Sequence, residues 1–168
     1  PNPLALNLYI LGYNRSKKLT KLNPATKQNL STYLEQHRML TDAINIKDAY
    51  HINIAIDFEV ITFKAFNNEK VVLDCINELK EFFNIDRWQI NQPIITQEIY
   101  NLLGTVEGVM NVQNVKITNL SGQSQGYSQY KYDIEGATKN GIIYPSLDPS
   151  IFEVRFPDQN IKGRTTTY

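Results

Sequence analysis

The chain has 168 residues, 42% apolar and 20% charged, with 17 acidic and 17 basic side chains, which is room for one domain with a real core, or one domain plus an appendage. Its formal net charge of zero gives no long-range field to gather nucleic acid or anionic membrane, and leaves little repulsion between copies. The single cysteine, Cys75, excludes an internal disulfide framework and a cysteine zinc site, and no apolar run approaches the ~20 residues that span a bilayer.

Leu4, Leu6, Leu8 and Ile10 alternate with Ala5, Asn7 and Tyr9, a period of two that predicts a half-buried strand. A strand pattern so close to Pro1 leads us to expect a piece of a longer polypeptide. A polar basic loop, Asn14 to Lys21, comes next. Asn23-Pro24 predicts a helix start, with Asn as N-cap and Pro at the first helical position. Leu30, Tyr33, Leu34 and His37 share one face of that helix, which is expected to end near Met39.

Residues 49–64 carry the clearest pattern. Ile52, Ile54, Ile56, Phe58 and Val60 alternate with His51, Asn53, Ala55, Asp57 and Glu59. This predicts a long strand with one face in a core and the other polar. A one-residue slip would bury Asp57 and Glu59, so the register is strongly specified.

Asn67-Asn68 predicts a turn and cap before an amphipathic helix from Glu69 to Phe83, with Val72, Cys75, Ile76, Leu79 and Phe83 on its apolar face. Trp88 to Ile94 reads as a short extended segment. Thr96 is expected to cap a third helix reaching about Val106, with Ile99, Leu102 and Leu103 buried and Gly104 and Gly108 favouring its end. Val109 to Thr118 predicts a strand, and its slip in phase near Gln113-Asn114 predicts a bulge. Asn119 to Gln129 reads as a mobile hairpin connection and Tyr130 to Ile134 as its returning strand. Ile142 to Tyr144 is short and apolar, and Pro145, Asp148 and Pro149 mark turns. Phe152, Val154 and Phe156 predict a last strand, and Lys162 to Tyr168 an irregular tail.

This order predicts an α+β fold: a mixed sheet of about four strands, about three helices packed mainly on one face, and a loop-rich C-terminal extension. The first strand–helix–strand unit is expected to be a right-handed crossover onto the long strand. Rising Gly, Ser and Pro content after Asn119 suggests a core domain over 1–119 and a hairpin or arm extension over 120–168, either an appendage or part of the same domain.

The residues suggest no enzyme, cofactor or metal chemistry. His37 and His51 are the only imidazoles and lack a metal-binding spacing. Cys75 sits mid-helix on an apolar stripe, where thiols are inert. No nucleophile elbow, phosphate-binding loop or dinucleotide fingerprint occurs. Asp57 and Glu59 share one strand face. That pair reads first as a solvated face, and also as a surface for basic groups of a partner or a carboxylate pair for acid–base work. Tyr127, Tyr130 and Tyr132 flank the Ser/Gln/Gly loop and suit either mutual packing or a tyrosine-anchored protein interface. With Tyr144, Phe152, Arg155, Asp57 and Glu59 they form the candidate interface set. The alternative is a nucleic-acid module, with Tyr127 to Tyr132 as a stacking platform and Arg15, Lys17, Lys18 and Lys21 as a basic cluster.

Four segments in order carry a resemblance. They are Arg38-Met39-Leu40-Thr41-Asp42 through Ile44-Asn45-Ile46 to Asp48-Ala49-Tyr50; Trp88-Gln89-Ile90-Asn91-Gln92-Pro93-Ile94 before the Thr96 helix; Val106-Glu107-Gly108-Val109 leading to Val112; and Tyr132-Asp133-Ile134 through Ala137-Thr138-Lys139-Asn140 and Tyr144-Pro145-Ser146-Leu147-Asp148-Pro149 to Phe152-Glu153-Val154-Arg155-Phe156-Pro157. Together they resemble the baseplate wedge proteins of T-even-like contractile-tailed bacteriophages, in the baseplate-J-like group, over residues 30–158. Those proteins are much longer, so the resemblance implies a C-terminal portion. It implies a structural role in a six-fold tail baseplate, in the virion and in the host cytoplasm during assembly. The implied partners are other copies of the chain and other wedge proteins, with no nucleic acid, membrane or catalytic residues.

Overall fold

The computed structural model describes residues 5–37 and 43–167. Its contacts divide the chain into two compact units, Pro1–Tyr50 and His51–Tyr168.

In the first unit, strand β1 (Leu6–Ile10) lies parallel to β4 (Ile44–Asp48), with Leu6 beside Ile44 and Ile10 beside Asp48. Between them come a small hairpin, β2 (Gly12–Tyr13) with β3 (Leu19–Thr20), and helix α1 (Pro24–His37). Asn14 organises the hairpin turn, its side-chain oxygen accepting from the amides of Ser16 and Lys18. Asn23 starts α1 as its sequence predicts, accepting from Ala25 N at 2.6 Å just before Pro24. Lys27 on α1 reaches Asp48 on β4 at 2.5 Å, and Asp48 also accepts from Leu22 N. The apolar core here is small. Leu19 and Ala49 are buried, whereas no residue of α1 is.

The second unit is built around β5 (Tyr50–Thr62). Strand β7 (Val109–Leu120) runs antiparallel along one edge from Asn53 to Thr62, and β11 (Ile161–Thr167) runs parallel from Ile56 to Thr62. With both edges taken over that stretch, β10 (Ser150–Glu153) pairs nearer the start of β5. Helix α2 (Asn68–Phe82) packs on β11, α3 (Thr96–Gly104) packs on β7, and the two helices touch. Val71, Cys75 and Leu79 of α2 and Ile99 and Leu103 of α3 close over Ile52, Ile54, Ile56, Phe58 and Val60. A second small sheet holds β6 (Ile94–Ile95), β8 (Thr138–Lys139) and β9 (Ile142–Ile143), and a short helix, α4 (Pro157–Asn160), leads into β11. The fold is α+β with a mixed four-stranded sheet.

Several expectations hold in detail. The long strand keeps its phase, Asn67 caps α2 by accepting from Lys70 N, and the β5–β7 register shifts where Glu59 faces Asn114 and Val60 faces Val112, leaving Gln113 as the bulge. Others change. The crossover from β1 closes on β4, not on the long strand. Thr96 opens α3 without capping it; its amide and hydroxyl both donate to Gly141 O, tying the helix start to the β8–β9 turn. No strand forms over Tyr130–Ile134. The tail expected to be irregular is β11, and residues 150–167 supply two strands to the β5 sheet. Of the two arrangements expected for 120–168, these strands go with a shared domain, since β10 and β11 lie in the β5 sheet. The expected start at Leu4 and helix end near Met39 lie outside the described residues.

Gly163 is the tightest joint in this sheet. It sits beside Phe58 on the core face, and a β-carbon there would overlap the Phe58 ring. Gly163→Ala should cost about 1–3 kcal/mol by overpacking, read as a lower urea midpoint, and Phe58→Leu in the same chain should recover part of the loss.

Burial pushes the Cys75 thiol up to about 11, and the neighbouring Asp74 charge adds to the shift. The stability from keeping it neutral is complete below the ordinary thiol value and is lost as pH rises towards about 11. At neutral pH the native protein should resist a chromogenic thiol reagent, and one thiol should react on unfolding in denaturant.

Candidate interaction face of the central sheet

The polar face of β5 is closed at one end and open at the other. The closed end centres on Asn53, which is 1% exposed. Its side-chain amide donates to Glu153 Oε1 at 2.8 Å, and its side-chain oxygen accepts from Ser128 N at 2.7 Å. Arg155 Nη1 lies 3.3 Å from the same Glu153 oxygen. A buried carboxylate is tolerable when it is paired and hydrogen-bonded in this way.

The tyrosine segment packs around this end. Tyr127 meets Phe156 edge-on at 5.5 Å, and its hydroxyl accepts from Asn160 Nδ2. Tyr130 and Tyr132 stack at 6.4 Å, and Tyr132 meets Phe152 at 6.2 Å. The Tyr132 hydroxyl donates to Tyr144 O, and Tyr132 N donates to Asn119 Oδ1. Burial raises the Tyr132 hydroxyl above its ordinary pKa, with Tyr130 and Asp133 adding to the shift. Of the candidate interface set, Phe152 is core at 1% exposure and cannot meet a partner. Arg155 is held against Glu153, and Tyr127, Tyr130 and Tyr132 are half-buried among their own rings. Tyr144 remains exposed.

The open end holds Asp57 and Glu59. Two cross-strand rows run over it, Lys116–Asp57–Lys162 and Asn114–Glu59–Arg164, read from β7 through β5 to β11. Arg164 Nη2 stands 3.3 Å from Glu59 Oε2, and Thr166 Oγ1 donates to Glu59 Oε1 at 2.9 Å. A shallow depression of about 350 Å³ lies over these rows. The two carboxylates are thus set among cations of their own chain. Sequence reasoning found them but missed Lys116, Lys162 and Arg164. The alternation of Lys162 and Arg164 about Gly163 is compatible with a strand but does not by itself mark one.

The basic residues Arg15, Lys17 and Lys18 lie in the β2–β3 turn of the first unit. His37 Nδ1 lies 2.8 Å from Tyr33 O on α1. Among the described residues no three His, Cys, Asp or Glu side chains converge on a metal-sized space, and no helix is long and apolar enough to cross a membrane. No family model matches the chain, and no curated protein matches it.

Removing the Asn53 side chain strands the Ser128 amide and takes one of the donors from the buried Glu153 carboxylate. Asn53→Ala should therefore cost about 1–3 kcal/mol. Hydrogen exchange should show the amides around Ser128 opening more than those of α2 and α3.

Proposed function

We propose that this chain is a structural component of a contractile-tail baseplate wedge, acting by association between subunits in a six-fold ring. The carrying observation is the ordered resemblance of four segments, three of which fall within the second unit. Trp88 to Ile94 leads into α3 through Trp88, which packs against Phe83 and Phe82. Val106 to Val109 makes the turn between α3 and β7, where Gly108 has φ 94° and a β-carbon would lie 2.7 Å from Val71. Tyr132 to Pro157 supplies two of the three strands of the small sheet, β10 and the Tyr132–Phe152 contact. The first segment is partly described: Ile44 to Asp48 is β4, and Arg38 to Asp42 lies outside the described residues.

The first unit supports association on physical grounds. Leu6 is 61% exposed and Tyr33 58% exposed, and a two-stranded sheet with a helix that has no fully buried residue gains by covering apolar surface. A ring demands contacts that repeat around the axis. The tyrosine rings favour this reading over nucleic-acid stacking, because Tyr127, Tyr130 and Tyr132 are engaged with aromatic neighbours of their own chain.

Sedimentation at tens of micromolar should show a discrete oligomer whose interface buries at least roughly 1,000 Å². Tyr33→Glu should weaken it without lowering the unfolding midpoint of the second unit. A strict monomer at that concentration removes the homotypic part of the proposal.

A further inference from the structure

Both charge rows of the open face end on a cation. Lys162 and Arg164 stand two residues apart on β11 and share one face of the sheet. Each already has an acidic neighbour on its inner side, Asp57 for Lys162 and Glu59 for Arg164. On the outer side β11 has an unused edge: it pairs with β5 over seven residues, and with no other strand among the described residues. Along such an edge, alternate amides and carbonyls point outward and can accept another strand.

We propose that the outer edge of β11 docks an extended acidic segment of a partner protein as an added strand. The order of charges decides the occupant. A strand with carboxylates at alternate positions, opposite Lys162 and Arg164, continues the change of sign across both rows. A second β11 does not. Laid parallel and in register, it sets Lys162 against Lys162 and Arg164 against Arg164; laid antiparallel about Gly163, it sets Lys162 against Arg164. Like charges directly opposite destabilise a strand pair. This inference rests on the assembly reading only in taking the partner to be a protein. Peptide binding and self-association are separate measurements, so either can fail alone.

The test uses the full chain and a fluorescent peptide, TVEVEVTSG, followed by anisotropy. Saturable binding is expected, weakened roughly tenfold or more by Lys162→Glu with Arg164→Glu. That variant should instead bind the lysine counterpart, TVKVKVTSG. If it fails to fold by circular dichroism, Lys162→Gln with Arg164→Gln takes its place and should show the loss alone. Backbone N-methylation of the peptide in two complementary alternating patterns separates strand addition from simple charge attraction. One pattern should abolish binding and the other should keep it, since an added strand uses one of its edges. The proposal is overturned by no saturation up to ~1 mM peptide, by equal binding of the lysine peptide to the unaltered chain, by unchanged affinity in the charge variants, or by equal effects of the two methylation patterns.

Discussion

Everything in the second unit is arranged around the double pairing of β5. From Ile56 to Thr62 this strand has a neighbour on each edge, antiparallel β7 and parallel β11. A strand held on both sides cannot slide, and its period of two then fixes which side chains enter the core. Ile56, Phe58 and Val60 go to the helices, and Asp57 and Glu59 go to the open face. Gly163 is the price of this closeness, since the Phe58 ring occupies the space a side chain would need.

The same pairing makes the unit non-local. Thr166 bonds Glu59 across 107 residues, and Asn53 bonds Glu153 across 100. The sheet is complete only when the end of the chain returns to its middle, a connection that slows folding relative to local contacts. The last strands are therefore part of the core and not an arm upon it.

One strand face serves two purposes. Asn53 and Asp57 project to the same side of β5, yet Asn53 is buried and Asp57 is exposed. The difference lies in what covers them. At Asn53 the segment around Ser128 and the Glu153 side chain close the face with hydrogen bonds, and the tyrosines pack nearby. At Asp57 the face stays open, and charge alone organises it. The closed end is a structural joint; the open end, beside an edge of β11 that no other strand takes among the described residues, is a surface.

Local pattern was enough for the elements whose signal lies within a few residues. The alternation from Ile52 to Val60, the Asn23 and Asn67 caps, the α2 stripe around Cys75 and the slip at Gln113 were all legible, because periodicity, capping and bulges are short-range effects. The α+β class follows from their order. Tertiary structure alone decided the rest. Lys162 to Thr167 has no apolar alternation, and it is a strand because β5 offers it an edge. Tyr130 to Ile134 has strand-like residues, and it is irregular: Tyr130 N bonds the Ser128 side chain and Tyr132 N the Asn119 side chain. Phe152 looked available and is core, and Asp57 and Glu59 looked free and stand among cations from two distant strands. A sequence records which residues alternate, but only the folded chain brings together partners a hundred residues apart.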